Sequence, residues 1–568
     1  MKGLSRSRLL APALLAAAAL AGGLVPAATS AHRANAAPMY LNSYYNFKTT
    51  MVRDFNPYDP VGQMDWTNNE IYEPLLIVNV PPATNGKIYP WLASAYKFTN
   101  GNKTLVLTAR PGVKWSDGQP FTAQDIAFTF NYGKTHAVAD QQGLWAGKLI
   151  TSVTASGNQV MINLATVDTT ILRTISLVNI VPQHIWASVA NPATFQNPNP
   201  VGTGSFTQVT DFTPQGFTLT KNPYTWQKSL AYDGIHVSSY SGNDAANLAM
   251  VNGQLDWTGN FVPNIQKVYV SKDPAHFHYD YAVGLPIGLF MNDQLYPYSL
   301  PVFRKALSHA IDRSKLYKIA EYGYDPPSDA IGLAVPYPLW ADPSLAAAAK
   351  EAATYNVSEA QSMLAKAGFT LKGGQLYDPK GGKVSITLSV INGWSDWDLG
   401  MQILQGEFKK LGIDTTVNLQ TQPVWYSQSG KGTLPGGDVQ FHWLNSGATP
   451  YTPYEDYLSQ ESYTPFGVDV NTTGMTNWER YYSPEATTAL RQFRQTTDSA
   501  LQHKLIDQVQ AIQLQDMPFI PTTYGADWYT YSTLHFTGFP TPSNFYTSGS
   551  PNDHWSNPLV VASLKPVM

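Results

Sequence analysis

Residues 110–130 read RPGVKWSDGQPFTAQDIAFTF, and the reading of the fold starts from this stretch. Just before it, Leu105, Leu107 and Ala109 recur at every second position, the period of a half-buried strand. Pro111-Gly112 and Asp117-Gly118 are tight-turn pairs. Thr122 is placed to cap a helix, with Asp125 three residues on, as in a capping box. Ile126 and Phe130 lie one helical turn apart on one face. The stretch therefore predicts a strand, a pair of turns with Trp115 at the bend, and a capped helix. That is the grammar of an α/β chain.

Bulk properties narrow the class. At 568 residues the chain predicts more than one lobe. Charged residues make up only 13% while aromatics reach 12%, so the chain has the apolar surface that disordered chains lack. The 33 Tyr and 15 Trp suit a protein that presents aromatic faces with polar edges, over and above those that fill a core. The net charge is -4, and without the four basic residues of 1–36 it falls to about -8. That excludes nucleic acid as the main partner, because phosphate binding needs basic patches. There is no cysteine, which excludes disulfides, thiolate catalysis, cysteine metal sites and lipid attachment through cysteine.

Residues 1–36 read as a signal peptide. Lys2, Arg6 and Arg8 form a basic head, and 9–24 is an uncharged Ala/Leu run. Ala34-Asn35-Ala36 offers a cleavage site, with Thr29-Ser30-Ala31 as the alternative. An uncleaved anchor is the other reading, since the apolar run approaches spanning length. Pro12, Pro26 and Gly22-Gly23 favour cleavage near Ala36, leaving an exported protein in the cell envelope or outside it.

Further motifs follow along the chain. Glu70-Ile71-Tyr72-Glu73-Pro74-Leu75 precedes Pro90-Trp91-Leu92-Ala93. Val181-Pro182-Gln183-His184 follows; His184 has no second ligand at metal spacing and reads as a packed structural histidine. Then come Gly202-Thr203-Gly204-Ser205-Phe206, Asn222-Pro223-Tyr224 and Gly259-Asn260-Phe261-Val262-Pro263-Asn264. Residues 299–311 form a strongly amphipathic helix containing Arg304, Ala306, Leu307, Ala310, Ile311, Asp312 and Arg313. Residues 356–369 predict a capped helix ended by Gly368, and 384–391 a strand. The loop Asn392-Gly393-Trp394-Ser395-Asp396-Trp397 leads into another helix, and Met517-Pro518-Phe519-Ile520-Pro521 opens a late strand.

These motifs, in this order and spacing, resemble the family 5 extracellular solute-binding proteins, the oligopeptide- and dipeptide-binding class of ABC importers. Residues 110–130 and 303–313 carry the likeness most strongly. The segment 259–264 and the tail around 538–546 are similar to its cello-oligosaccharide-binding subgroup. The resemblance implies an α/β, two-lobed periplasmic-binding-protein-like fold of class II, or cluster C, with an extra subdomain in lobe 1. Lobe 1 is expected at 37–284, with the inserted subdomain at about 85–220. Lobe 2 is expected at 285–521, and 522–568 returns to lobe 1. The chain would cross between lobes near 282–285 and 522–524, making a hinge that closes on ligand.

The resemblance implies capture of a small-molecule ligand for ABC transporter permease subunits, by a monomer without cofactor, metal or catalysis. Peptide binders of the family carry a carboxylate shortly after a Trp in the segment matching 443–451. Here Trp443-Leu444-Asn445-Ser446-Gly447 has none before Glu455. A buried ammonium needs a paired charge, so the departure points to a neutral, hydroxyl-rich ligand, a di- or oligosaccharide of β-gluco or manno type. Trp257, Trp394, Trp397 and Trp443 are the expected stacking residues, although Trp257 also reads as packed under the next helix. Asn46, Asn260 and Asn445 are the expected hydroxyl readers, and Tyr524, at the second crossing, is a further expected ligand-binding residue. Two alternatives stand: an oligopeptide-binding protein of the same family, and a secreted carbohydrate-active enzyme. Glu455-Asp456 is a carboxylate pair in sequence, but adjacent side chains point apart and are not expected to flank one bond.

Overall fold

In the computed structural model the signature stretch folds as its residues dictate. Thr104–Ala109 is a strand and Ala123–Thr135 a helix. Between them Gly112 and Gly118 take φ values of 78° and 90°, left-handed conformations that glycine adopts without strain. Thr122 Oγ1 accepts from the Gln124 amide at 3.2 Å, and Asp125 Oδ2 accepts from the Thr122 amide at 2.8 Å, closing the capping box. Thr122→Ala is expected to cost about 1 kcal/mol, read as a lower urea midpoint at unchanged slope. Trp115 is wholly buried, edge-on to Phe121. Asp117 faces outward and meets His184 Nε2 at 2.7 Å, so the histidine of the later motif is held by the carboxylate of the earlier one.

The structure describes residues 37–567 apart from 46–49, 60–61, 81–86, 228–229, 434–438 and 471–476. The expected signal peptide and Asn46 lie outside the described residues. No helix among the described residues is long and apolar enough to cross a membrane.

The helix Ala123–Thr135 lies on a four-stranded antiparallel sheet ordered Ala93–Thr99, Thr104–Ala109, Gln159–Leu164, Ile150–Ser156. Its buried face, Ile126, Ala127 and Phe130, joins Leu105, Leu107, Val160 and Ile162 in one core. A mixed ten-stranded sheet forms the centre of the molecule. Its order is Asp414–Gln420, Ser385–Ile391, Val439–Trp443, Phe277–Met291, Phe519–Ser532, Trp257–Thr258, Tyr40–Tyr45, Gly234–Ser239, Gly216–Lys221, Phe206–Thr213.

The two long antiparallel strands, Phe277–Met291 and Phe519–Ser532, join the halves of this sheet. Phe519–Ser532 pairs with Trp257–Thr258 through Thr530 and Tyr531, whereas Phe277–Met291 pairs with Val439–Trp443 only through residues 287–291. Between these regions the register slips twice, at Val283/Pro286 and Ile287/Gly288. Pro286 has no amide hydrogen to give the ladder. The main cores follow the same division. One large cluster draws entirely on residues 287–520, while another combines 41–257 with Tyr529, Tyr531 and the tail as far as Leu564.

The amphipathic segment is a helix over Pro301–Ala310, with Phe303, Ala306, Leu307 and Ala310 buried. Both motif arginines are buried as well. Arg304 pairs with Asp293 at 3.3 Å, and Arg313 donates to the Pro521 carbonyl at 2.7 and 3.0 Å. Arg304, in this helix, also donates to the Met517 carbonyl at 2.9 Å just before the strand Phe519–Ser532, and Arg313, just after it, reaches Pro521 within the strand, which accounts for the motif in scaffold terms.

Candidate functional site

Three tryptophans from two distant segments meet in one place. Trp443 ends the strand Val439–Trp443, Trp394 is the N-cap of the helix Ser395–Lys409, and Trp397 lies in its first turn. Their ring centroids are 4.9 Å apart for Trp394 and Trp397, 5.7 Å for Trp394 and Trp443, and 5.6 Å for Trp397 and Trp443. Trp394 and Trp443 are nearly parallel, at 28°. Trp443 is 37% exposed and Trp397 only 6%, so the trio is a shelf with one open face. Behind it His442 stacks on Trp443 at 4.9 Å and on Trp425 at 5.8 Å, with Trp478 also against it. Burial pushes the His442 imidazole down to about 4, so this backing is neutral at ordinary pH.

The shelf lines a cavity of about 740 Å³, within the size range of small-molecule sites. The two long strands contribute Leu285, Ile287, Asp527 and Trp528 to its wall. Thr170, Arg173 and Trp555 line it from elsewhere, as do Tyr451, Glu455 and Arg494. The loops bearing Gly242 and Gly393 touch backbone to backbone: the Asn243 amide donates to the Gly393 carbonyl at 2.9 Å. A β-carbon on Gly393 would lie 2.7 Å from the Ser241 carbonyl oxygen, so that approach needs glycine. The contact brings Asn243 Nδ2 within 3.2 Å of Asp396 Oδ1.

Of the expected site residues, Trp394, Trp397, Trp443, Asn260 and Asn445 line this cavity. Asn260 is buried, gives its Nδ2 to Asn247 Oδ1 at 2.6 Å, and keeps its Oδ1 without a donor. Asn445 is exposed. Trp257 and Tyr524 do not line it. Trp257 is wholly buried, donates to the Gly549 carbonyl at 2.7 Å and packs edge-on to Trp66. The core-packing alternative for Trp257 is the one realised, because the tail 549–555 covers the strand end that carries it. Tyr524 is 3% exposed and packs away from the cavity.

The sequence reading underestimated the charge of this site. The loop after Trp443 lacks an acid, yet the Asn445 amide donates to Asp456 Oδ2 at 3.1 Å, and both Glu455 and Asp456 line the cavity. Asp325, Asp396, Asp527 and Asp553 add further carboxylates. Burial pushes Asp396 and Glu455 up to about 7, with Arg494 opposing the rise in Glu455. Burial and then the Asp553 charge raise Asp527. Arg173 is pushed down to about 10 by burial and lies over the Trp555 ring at 5.6 Å. Trp528, Trp555 and the acids were not singled out from sequence as ligand contacts. Asp396 had a signal, its place between Trp394 and Trp397, and Glu455-Asp456 stood out as a carboxylate pair.

Comparisons with known proteins agree with this architecture. Residues 87–488 match the model of the bacterial extracellular solute-binding proteins, family 5. The nickel-binding periplasmic protein of Escherichia coli is 25% identical over 424 residues, covering 71% of this chain and 75% of its own. Among solved structures, a mannohexaose-bound periplasmic oligopeptide-binding protein from Thermotoga maritima superposes with a TM-score of 0.84 at 22% identity. That match covers 94% of this chain and 99% of the other. The oligopeptide-binding protein AppA of Bacillus subtilis, in complex with a nonapeptide, gives 0.76 at 17% identity over 93% and 99%.

Proposed function

Because the chain belongs to the bacterial extracellular solute-binding proteins of family 5, the substrate-binding components of ABC transporters, we propose that it captures a di- or oligosaccharide of β-gluco or manno type. The observation that carries this reading is the shelf of Trp394, Trp397 and Trp443 beside a 740 Å³ cavity. Sugar rings have apolar C–H faces that lie flat on such a platform, and Asn260 in the cavity wall and the exposed Asn445 are the proposed hydroxyl contacts. The Thermotoga maritima relative with mannohexaose bound supports the same ligand class.

Capture is by closure of two lobes, 37–284 with 522–568 and 285–521, the first bearing an inserted subdomain at about 85–220. The register slips in the two long strands support a hinge there, since a ladder already interrupted bends at least cost. The closed protein then delivers its ligand to the permease subunits as a monomer. Residues 1–36 direct export and are removed near Ala36.

A second reading, capture of an oligopeptide, is favoured by the carboxylates of the cavity, since an ammonium group needs such partners. Titration of tryptophan fluorescence with cello- and manno-oligosaccharides and with short peptides separates the two. Saturable quenching or enhancement with a sugar is the expected result. Saturation by peptides alone would overturn the sugar reading and leave the family role intact. Cleavage of the oligosaccharide on prolonged incubation would instead make the protein an enzyme.

A further inference from the structure

Two loops from opposite halves of the ten-stranded sheet touch, although their strands lie far apart in it. Gly242 and Asn243 follow the strand Gly234–Ser239, and Gly393 to Asp396 follow Ser385–Ile391. Six strand-to-strand steps separate these two strands in the sheet order, a distance of roughly 30 Å in an unbent sheet. Yet the Asn243 amide donates to the Gly393 carbonyl at 2.9 Å, and Asn243 Nδ2 to Ser395 Oγ and Asp396 Oδ1, both at 3.2 Å. The sheet is therefore folded over between them, and its ladder is already interrupted at the register slips of residues 283–288. Opening about those slips would part the loops, so this contact belongs to the closed form.

The approach is close because both sides are glycine. A β-carbon on Gly242 would lie 2.8 Å from the Gly393 carbonyl oxygen and 2.9 Å from its Cα. Gly242 itself is extended, at φ 160° and ψ −178°, so alanine would not strain its own segment; it is the opposite loop that leaves no room. Trp394 follows Gly393 directly, so the same contact holds the edge of the aromatic shelf.

Two further contacts cross the same division. Phe261 packs on Tyr322 and Tyr324, with ring centroids 6.0 and 6.4 Å away, and the Ile265 amide donates to the Tyr324 hydroxyl at 3.0 Å. Trp528, on one of the long strands, packs edge-on to both Phe261 and Tyr324. Arg494 and Asp168 form the other crossing. All of these contacts are made by the chain's own groups, so closure draws on them whatever the cavity holds.

We propose that the loops 241–243 and 393–396 form a latch that keeps the cleft mostly shut in the free protein, with ligand entering through a minor open form. This rests on the reading of the cavity as a site closed by two lobes, and adds what holds the lobes shut. A latch engaged in both the free and the loaded closed forms stabilises the two alike. Weakening it then speeds loading and release together and leaves the affinity nearly unchanged. A latch formed only once ligand has bound would act on release and affinity alone.

Energy transfer between two dyes tests the latch without any ligand. The chain has no cysteine, so Leu248→Cys and Val424→Cys supply a clean pair of thiols. Both side chains are exposed, on the helices Asn243–Val251 and Gln422–Lys431, one in each half. The free, full chain is expected to show a dominant short-distance population. In Gly242→Ala the long-distance population should grow roughly tenfold or more. Asn243→Ala, which removes the side-chain bonds and adds no bulk, should shift the distribution in the same direction by less, and it decides the matter if Gly242→Ala fails to fold. Thermal melts report the fold of each variant. A free protein wholly in the long-distance form, or a distribution unmoved by either substitution, would overturn the latch. Stopped-flow tryptophan fluorescence with cellotetraose, or with a tetrapeptide, then reads the rates. Faster association and dissociation together in Gly242→Ala support closure ahead of ligand, whereas faster dissociation alone would overturn it. Failure of cellotetraose to bind would count against the sugar reading, while the dye distances still decide the latch.

Discussion

Replacing Trp443 with alanine is expected to weaken ligand capture roughly 10- to 100-fold while leaving the fold almost unaffected. The asymmetry follows from position. Trp443 is 37% exposed at the end of its strand, so truncation opens no internal void. Its ring lies 5.7 Å from Trp394 at 28° and is backed by His442, so it is held ready before ligand arrives. Stacking on a prepared aromatic platform contributes about 1–3 kcal/mol by alanine substitution where it has been measured for nucleic-acid bases, and each 1.4 kcal/mol is about tenfold in affinity. Trp443→Phe should retain most of the affinity, because a smaller ring still covers the shelf. Calorimetric titration of wild type and both variants with the bound ligand reads the effect, and thermal melts read the fold. Affinity of Trp443→Ala within twofold of wild type would sink the role assigned to the shelf.

Arg494→Ala is expected to produce the largest loss of stability, about 3–5 kcal/mol, the range for breaking a buried ion pair from one side. Arg494 lies in the last turn of the helix Pro484–Gln495 and is 12% exposed. Its Nη2 meets Asp168 Oδ2, whose side chain is 5% exposed. Asp168 follows the strand Gln159–Leu164 of the four-stranded sheet, and its Oδ1 is already held by the Thr170 amide at 2.9 Å and hydroxyl at 2.8 Å. The Thr169 amide adds a bond to the Arg494 carbonyl at 2.8 Å. Segments more than 300 residues apart are thus clasped beside the cavity.

Removing the guanidinium strands the Asp168 charge in a dry site. It also removes the group that holds Glu455 down, so that acid titrates still higher than about 7. Asp168→Asn in the Arg494→Ala background should recover part of the loss, because the uncompensated charge is then gone. Urea denaturation of the two single variants and the double variant makes the cycle. Additive losses, or a loss under 1 kcal/mol for Arg494→Ala, would show that the clasp contributes little.

Much of the local structure was legible in the residues. Thr122 and Asp125 made their capping box, and Asn356 caps the helix Val357–Lys366 by accepting from the Glu359 amide. The amphipathic segment came out one to two residues shorter at its ends than its pattern implied, since Ile311 is already extended. These features depend on neighbours within one or two turns, which the sequence lists in order.

The site was legible only in part. Trp394 and Trp397 announced themselves by following a strand, and Trp443 by its family position. Trp257 carried the same signal of an aromatic beside a turn, yet it lies under the tail at Gly549. Nothing local to Trp257 distinguishes the two outcomes, because its cover comes from almost 300 residues away. The charge of the cavity was misjudged for the same reason. The acid sought between Trp443 and Tyr451 is absent, but Asp325, Asp396 and Asp527 arrive from three other segments.

The sequence by itself determined the caps, the turns and the family, because each is encoded by short-range spacing or by motifs in a constant order. Only the tertiary structure decided which tryptophans face the cavity and which carboxylates share it. Burial and charge balance are properties of what surrounds a side chain in space, and here the surroundings come from Asn243, Asn260, Asp325, Asp396 and residues 526–528 together.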